Sequence, residues 1–317
     1  MSNAVGVDLG GTKMLVGVVA PGPRVLHRDT ETTFGTSSEE ILSSLEDAVR
    51  QAMAAEPDVE AVGLGIPCTI DRERGVAISA VNLPIIDVPI RDLMRERLGL
   101  PVFIDNDANV AALAEHRYGA ARGARSAVLL TIGTGIGGGL IIEGNVFRGS
   151  SGAGAELGHI VVDEDGPPCQ GNCPNHGCVE TFASGVAIAR EGLAAAERAP
   201  DSALGKALAA GETIDGRVVT EAAQAGDEVA SVVIERAGYH LGVALSGLAN
   251  VFDPDVIVVG GGVTAGAGEL LLGPARSELA RRALTPQNRT GVVAAPLGAD
   301  AGMIGAATMA ADEAGRR

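Results

Sequence analysis

Three cysteines lie close together near the middle of the chain, in a loop rich in Gly, Pro and Asn. They form a C-x3-C-x4-C run, with one histidine ten residues upstream and another inside the run: Cys169, Cys173, Cys178, His159 and His176. Three thiolates and one imidazole make a closed tetrahedral shell for zinc. The loop has little apolar material to bury a thiol, and a redox pair needs a C-x2-C spacing and leaves one cysteine over. We therefore predict a structural Zn²⁺ site, with His159 or His176 as the fourth ligand.

Two glutamates flank this loop. Glu156 precedes it and Glu180 follows it, so folding the loop around one ion would bring the two carboxylates together. Each carboxylate can accept hydrogen bonds from hydroxyl groups, and the N–H of His159 can donate another. The three side chains therefore suit a polyhydroxylated ligand. The alternative is that both glutamates are ordinary solvated side chains.

Three glycine-rich segments each follow a predicted strand. Glycines in such turns let backbone N–H groups approach phosphate oxygens, and hydroxyl and ammonium groups add to the binding. The residues predicted to contact a nucleotide are Asp8, Gly10, Gly11, Thr12, Lys13, Gly133, Thr134, Gly135, Gly137, Gly261 and Gly262. The first segment is not a P-loop and the second is not a dinucleotide fingerprint, because a strand rather than a helix is predicted after each. For the first segment, a plain β-hairpin is the alternative.

A polar cluster lies where a predicted strand meets a predicted helix. The strand from Val102 ends in Asp105-Asn106-Asp107-Ala108-Asn109, and these residues open the helix. Open α/β sheets place ligands at such junctions, so Asn106 and Asp107 are candidate site residues. The alternative is that one of them only caps the helix.

The wider pattern predicts an α/β chain that positions these motifs. Apolar runs predict a strand, a glycine turn and a second strand within 4–20, and strands at 59–67, 102–105, 256–259 and 292–296. A second pair of strands is predicted at 127–142, joined by the run Gly133 to Gly139. Helical patterns cover 38–55, 90–98, most of 184–249 and 300–310. With 317 residues the chain is long enough for two domains.

Composition excludes several classes of function. The net charge of −16 would repel nucleic acid, and no apolar run approaches the length of a membrane span. The N-terminus enters a strand without a signal-peptide pattern, and cysteines gathered at one metal site suit a reducing cytoplasm. Because aromatic residues are only 2% of the chain, a bound sugar would be held by hydrogen bonds more than by stacking.

Taken together, the motifs resemble those of the ROK family of sugar kinases and regulators, over nearly the whole chain. The segments that carry the resemblance are Asp8-x-Gly10-Gly11-Thr12-Lys13, Asn106-Asp107-Ala108-Asn109, Gly133-Thr134-Gly135-x-Gly137-Gly138-Gly139, Glu156-x-Gly158-His159 and Gly177-Cys178-x-Glu180. The resemblance implies an actin-like, ribonuclease-H-like fold in which two α/β domains bind sugar and ATP in the cleft between them. We expect a small domain at 1–119 plus 300–317 and a larger domain at 120–299 that carries the zinc loop.

The resemblance also implies residue roles. Asp107 matches the catalytic base of the family, and His159 matches a residue that binds both sugar and zinc. The positions expected to bind sugar hydroxyls are Asn82, Asn106, Asp107, Glu156, His159 and Glu180.

Two departures from the family pattern bear on the site. The usual metal run is C-x-C-x4-C, so the longer first gap here requires a bulge around Gly171-Asn172. Cys68 follows Pro67 where a glycine is common, and Ile85-Ile86 stand where an aromatic residue is common after Asn-Leu. The second change affects a loop that can lie near the sugar pocket.

These observations lead to one principal hypothesis. The chain is expected to be an ATP- and Mg²⁺-dependent hexose kinase acting on glucose at its 6-hydroxyl, with Asp8 helping to hold Mg²⁺. An N-acetylmannosamine, N-acetylglucosamine or other hexose kinase is the alternative within the class. A sugar-responsive regulator is disfavoured, since the first phosphate motif begins within ten residues of the start and leaves no helix-turn-helix segment. We expect a homodimer or homotetramer.

Overall fold

The computed structural model describes residues 2–10, 13–32, 35–80 and 83–316. Its strands are β1 (Asn3–Leu9), β2 (Lys13–Ala20), β3 (Arg24–Thr32), β4 (Val59–Ile66), β5 (Cys68–Asp71), β6 (Val76–Ala80), β7 (Ile86–Val88), β8 (Val102–Asn106), β9 (Ala127–Ile132), β10 (Ile136–Ile142), β11 (Asn145–Phe147), β12 (Val256–Gly260) and β13 (Gly291–Ala294). The strands predicted from apolar runs are all present.

The helices are α1 (Ser38–Ala55), α2 (Ile90–Leu98), α3 (Asp107–Tyr118), α4 (Glu180–Ala183), α5 (Gly185–Arg198), α6 (Ala203–Ala209), α7 (Gly216–Gln224), α8 (Glu228–Phe252), α9 (Gly262–Ala267), α10 (Glu269–Arg282) and α11 (Ala301–Ala314). A short 3₁₀ helix covers Leu157–His159. No helix in the described ranges is both long and apolar enough to cross a membrane.

Contacts within the chain divide it into two compact units. The first comprises Met1–Gly123, Gly139–Ala155 and Ala299–Arg317, and the second comprises Ala124–Gly138 and Glu156–Gly298. The sequence placed 139–155 with the larger domain, whereas here these residues pack with the first unit. The chain therefore passes between the units four times, once within strand β10.

The first unit is built on a five-stranded mixed sheet in the order β3-β2-β1-β4-β8. Strands β1, β4 and β8 run parallel, and their register aligns Asp8 with Gly65 and Gly65 with Asp105. Helix α11 packs on β1 and β4, while α1 covers the sheet from β1 to β3. Because parallel strands end at the same edge, this sheet brings Asp8 and the start of α3 to one edge of the unit.

The core of the first unit is aliphatic, as the composition predicts. Its most buried side chains include Leu9, Leu45, Leu64, Ile66 and Met94. A second sheet, β5-β6-β7, covers the region that the sequence left as extended chain. Residues 81 and 82 fall between β6 and β7, and the predicted sugar ligand Asn82 lies outside the described residues.

In the sheet of the second unit, β9 has the first residues of β10 on one side and β12 on the other. Strand β13 lies beyond β12, at the edge. Strands β9, β12 and β13 are parallel, and Gly260 pairs with Thr131 at their carboxyl ends. The prediction that Gly133 to Gly139 forms one loop is wrong for its second half. Gly137, Gly138 and Gly139 lie inside β10, because pairing with β9 overrides the low strand preference of glycine.

Candidate active site

The carboxylates of Asp8 and Asp107 lie near each other in the first unit. Burial raises the pKa of the Asp8 carboxyl to about 7, and the negative charge of Asp107 adds to the shift. The Cys68 thiol belongs to the same neighbourhood, since burial and then the Asp107 charge raise its pKa to about 12. Two carboxylates that repel each other in this way are suited to a divalent cation, whose charge offsets the repulsion.

Helix α3 begins at this carboxylate pair. Asn106 is its N-cap, and the Asn106 side-chain oxygen accepts from the backbone N–H groups of Ala108 and Asn109 at 3.0 and 3.2 Å. Asp107 is the first helical residue, and its Oδ1 accepts from the N–H of Ala108 at 2.9 Å. The cap is therefore Asn106, which leaves Asp107 in the first turn with the positive end of the helix dipole beside it.

The first glycine segment is a tight connection between β1 and β2. The N–H of Gly10 donates to the carbonyl of Lys13 at 2.8 Å, and Lys13 is exposed at the start of β2. Gly11 and Thr12, which were predicted to contact phosphate, lie outside the described residues. The flanking strands β1 and β2 pair antiparallel from Leu9 and Met14 onward, so they form the β-hairpin that was the alternative for this segment.

The other two glycine segments meet at one edge of the sheet in the second unit. The N–H of Gly133 donates to the carbonyl of Gly135 at 2.9 Å, and Thr134 is exposed at the tip of this turn. Gly261 has a φ of +90°, and a Cβ there would lie 2.3 Å from the carbonyl oxygen of Ile132. Only glycine fits at 261, so β12 and β9 can end side by side in partly exposed glycine backbone. Gly262 then starts α9.

Glu180 is tied to the same glycine turn. Its Oε2 accepts from the backbone N–H of Ile136 at 2.7 Å, and the side chain is only 9% exposed. A Cβ at Gly135 would lie 2.4 Å from this oxygen, so the missing side chain there makes room for the carboxylate. The segment predicted to hold phosphate and a residue predicted to hold sugar are therefore in direct contact.

Glu156, His159 and Glu180 share one environment. Burial raises the pKa of the Glu156 carboxyl, the charge of His159 lowers it, and the charge of Glu180 raises it. Interactions of this kind require that the three groups lie close together. The solvated alternative for the two glutamates does not fit Glu180, which is buried. Glu156 is exposed at its surface, so for this residue the alternative stays open.

The three cysteines and His159 form one cluster. The ligand atoms of His159, Cys169, Cys173 and Cys178 all lie within 4.8 Å of one another. The Sγ of Cys169 is 3.4 Å from Nδ1 of His159, and the Sγ atoms of Cys173 and Cys178 are 3.9 Å apart. No disulfide is present among the described cysteines.

The donor set of this cluster fits zinc. Three sulfur atoms and one imidazole nitrogen face each other, and burial together with the adjacent thiols raises the pKa of Cys169 to about 12. A cation among the sulfurs would reverse that shift, because zinc ligands bind as thiolates. His176 is exposed and its Nδ1 lies 3.3 Å from the carbonyl oxygen of Gly166, so the cluster contains His159 and not His176.

The longer gap between Cys169 and Cys173 is taken up by a turn. The N–H of Cys173 lies 3.4 Å from the carbonyl oxygen of Gln170, and Gly171 has a φ of +60°. This places the bulge at the predicted position. The turn lets all three sulfurs face inward despite the two extra residues.

Sequence reasoning missed one residue that lies beside the candidate site. Arg148, which follows β11, contacts the carboxylate of Asp105 through Nε at 2.7 Å and a terminal nitrogen at 2.6 Å. From the sequence, Asp105 was placed in the polar cluster but was given no partner. No local pattern links two residues 43 positions apart, so only the folded chain reveals the pair.

The fold of the chain is similar to that of known proteins. A crystal structure of a ROK family glucokinase from Streptomyces griseus, in complex with glucose and AMPPNP, is similar with a TM-score of 0.88. The two chains are 38% identical, and the match covers 98% of this chain and 99% of the other. A ROK family transcriptional regulator is similar with a TM-score of 0.87 at 28% identity, over 98% of this chain and 78% of that one. The chain therefore has the actin-like ATPase fold.

The family itself follows from the sequence. The ROK family model matches residues 4–313, and a glucokinase from Thermotoga maritima is 37% identical over 98% of both chains. The chain belongs to the ROK family, which confirms the resemblance predicted from its motifs.

Proposed function

We propose that the protein is an ATP-dependent glucokinase that converts glucose to glucose 6-phosphate. The observation that carries the proposal is the similarity to glucokinases over 98% of the chain, at 37 and 38% identity. The side chains at the start of α3 and beside the metal cluster support the proposal. A phosphoryl transfer depends mainly on positioning and charge neutralisation, and both can be argued from the described residues.

Asp107 is proposed to be the general base. The oxygen of the sugar 6-hydroxyl attacks the γ-phosphorus of ATP, the bond from that phosphorus to the bridging oxygen breaks, and ADP leaves. The hydroxyl proton passes to the Asp107 carboxylate. Its place in the first turn of α3 supports this role, because a helix N-terminus favours the ionised form that can accept a proton.

Asp8 is proposed to hold Mg²⁺, directly or through water. The mutual repulsion of Asp8 and Asp107 supports this, as both carboxylates would be ionised more easily beside a cation. Bound Mg²⁺ would neutralise charge on the phosphates. The partly exposed glycine turns at 133–135 and 261–262 are proposed to hold the nucleotide, together with Lys13.

The sugar is proposed to be held by Glu156, His159 and Glu180, with Asn106 and Asn82 as further ligands. One oxygen of Glu180 is already occupied by the N–H of Ile136, which fixes the carboxylate and leaves its second oxygen for a hydroxyl. Zn²⁺ in the adjacent cluster would have a structural role. A full shell of three thiolates and one imidazole leaves no position for water or substrate.

A homodimer or homotetramer is proposed as the functional assembly. Val232 and Tyr239 lie seven residues apart on one face of α8 and are 62% and 39% exposed. Exposed apolar side chains on one helix face support association between copies. Sedimentation velocity at micromolar concentration would test this, and a purely monomeric boundary would rule it out.

A coupled assay across several sugars tests the proposed substrate. We expect kcat/KM for glucose to exceed the values for mannose, N-acetylmannosamine and N-acetylglucosamine. A site that pairs a substrate hydroxyl with buried polar groups rejects analogues that lack the hydroxyl, while a bulkier group is rejected only where space is tight. A higher kcat/KM for N-acetylmannosamine than for glucose would assign the enzyme to the alternative class of hexose kinase.

A further inference from the structure

Asp105 is a buried carboxylate two residues before the proposed base. It is 2% exposed and lies at the end of β8, next to Gly65 in the sheet register. A carboxylate removed from water in this way must be paired, since an uncompensated buried charge strongly destabilises the folded state. The two oxygens of the Asp105 carboxylate contact different groups.

One oxygen faces two arginines. The Oδ2 of Asp105 accepts from the Nε of Arg148 at 2.7 Å and from a terminal nitrogen of Arg148 at 2.6 Å. The Nε of Arg72 lies 3.5 Å from the same oxygen, and a terminal nitrogen of Arg72 pairs with Glu313. Arg148 makes the closer contact with Asp105.

Arg148 is itself held in place. Its third nitrogen donates to the carbonyl of Val146 at 3.1 Å, and its own carbonyl accepts from the N–H of Gly154 at 2.9 Å. The planar guanidinium therefore has each nitrogen committed to a partner in the first unit. Such an arginine acts as a fixed support for the carboxylate.

The other oxygen of Asp105 faces the residues around the proposed base. Its Oδ1 accepts from the backbone N–H of Asn106 at 2.9 Å and from the side-chain amide of Asn109 at 3.2 Å. The Oδ1 of Asn109 is buried and makes no hydrogen bond within the described part of the chain. Asp105 is therefore the hydrogen-bond partner that orients the Asn109 amide.

We infer that Asp105 and Arg148 are positioning residues for the proposed base. Arg148 fixes the Asp105 carboxylate, and Asp105 fixes the residues on both sides of Asp107. Asn106 is the cap of α3, so the pair sets where the first turn of the helix begins and where the Asp107 carboxylate points. The inference rests on the proposed function, in which Asp107 accepts the hydroxyl proton.

The test compares Arg148→Met with Arg117→Met. Arg117 makes an ion pair of similar length, 2.6 Å to Asp312, but it lies in the last turn of the same helix. We expect Arg148→Met to lower kcat by about 10- to 100-fold, because a displacement of about 1 Å in a reacting group can cost about 100-fold. The KM for glucose should change by less than about threefold, and Arg148→Lys should recover part of kcat. Arg117→Met should keep kcat.

Hydrogen exchange provides a reading that does not depend on activity. In Arg148→Met, the amides of Ala108 and Asn109, which Asn106 caps, should exchange faster than in the parent. They should be unchanged in Arg117→Met. If the parent shows no kinase activity, the proposed function fails, and this exchange experiment alone decides whether the pair organises the helix start.

A double variant separates positioning from simple charge pairing. Asp105→Asn with Arg148→Met retains an oxygen acceptor for Asn106 and leaves no unpaired buried charge, so it should fold even where Arg148→Met does not. We expect its kcat to stay low. Parental kcat and parental exchange in this variant would overturn the inference, and so would unchanged exchange in Arg148→Met.

Discussion

Asp107 and Asn106 have different roles at the start of α3. Both stand at the start of α3, and from sequence alone either could be a helix cap. In the structure, the Asn106 side chain caps two backbone N–H groups, while Asp107 lies inside the first turn. The carboxylate of Asp107 is thus not required to begin the helix, which makes its replacement a clean test of chemistry.

Asp107→Asn should abolish most turnover. Removing a general base typically costs about 10²–10⁴-fold in rate. Because Asn106 remains as the cap, we expect the melting temperature and glucose binding to stay close to those of the parent. Asp215→Asn is a matched control, since Asp215 caps α7 through its contact with the N–H of Val218. Near-parental kcat in Asp107→Asn would show that this carboxylate is not the base.

Asp8 should make stability depend on pH. With its pKa raised to about 7 in the folded protein and about 4 in the unfolded chain, Asp8 binds more protons when folded between those values. Its contribution to the free energy of unfolding therefore falls as pH rises through that window. Asp8→Asn removes the titration. In metal-free buffer, the variant should gain stability relative to the parent between about pH 4 and 8.

Thermal unfolding of both proteins across that range measures this effect. The exposed Asp58→Asn is the control, for which we expect a difference from the parent that changes little with pH. A pH-independent difference between Asp8→Asn and the parent would contradict the burial of this carboxylate beside Asp107.

The stability of the metal loop should depend on its bound ion. Metal binding in isolated zinc-finger peptides is worth about 10–16 kcal/mol near neutral pH, so losing one thiolate should loosen the whole loop. We expect one zinc per chain in the parent. Cys173→Ser should lose zinc and melt at a lower temperature, whereas His176→Ala and Cys68→Ser, which change residues outside the cluster, should keep it. Elemental analysis measures the content, and a parent without zinc would refute the site.

Elements with strong local signals could be predicted from the sequence. The apolar strands β1, β4 and β8, the capped helix α1 and the cysteine spacing each carry their information within a few residues. Strand β3 was missed because most of its side chains are polar and none is fully buried. Helix α10 was missed because Gly273 and Pro274 lie inside it, and both normally interrupt helices. In each case packing overrides the local preference.

The contacts that assemble the site could not be predicted in this way. Glu180 meets the N–H of Ile136 across 44 positions, and Arg148 meets Asp105 across 43. The sequence placed Glu180 beside the zinc loop but gave no sign that it is also joined to the glycine turn. Hydrogen bonds between distant residues depend on the sheet order, which local patterns do not encode.

For the molecule as a whole, we propose that this ROK family chain transfers a phosphoryl group from ATP to the 6-hydroxyl of glucose. Phosphorus NMR of a mixture of protein, ATP, Mg²⁺ and glucose tests it most directly. We expect glucose 6-phosphate and ADP to appear in equal amounts. Absence of a sugar phosphate, or a phosphate at another hydroxyl of glucose, would contradict it.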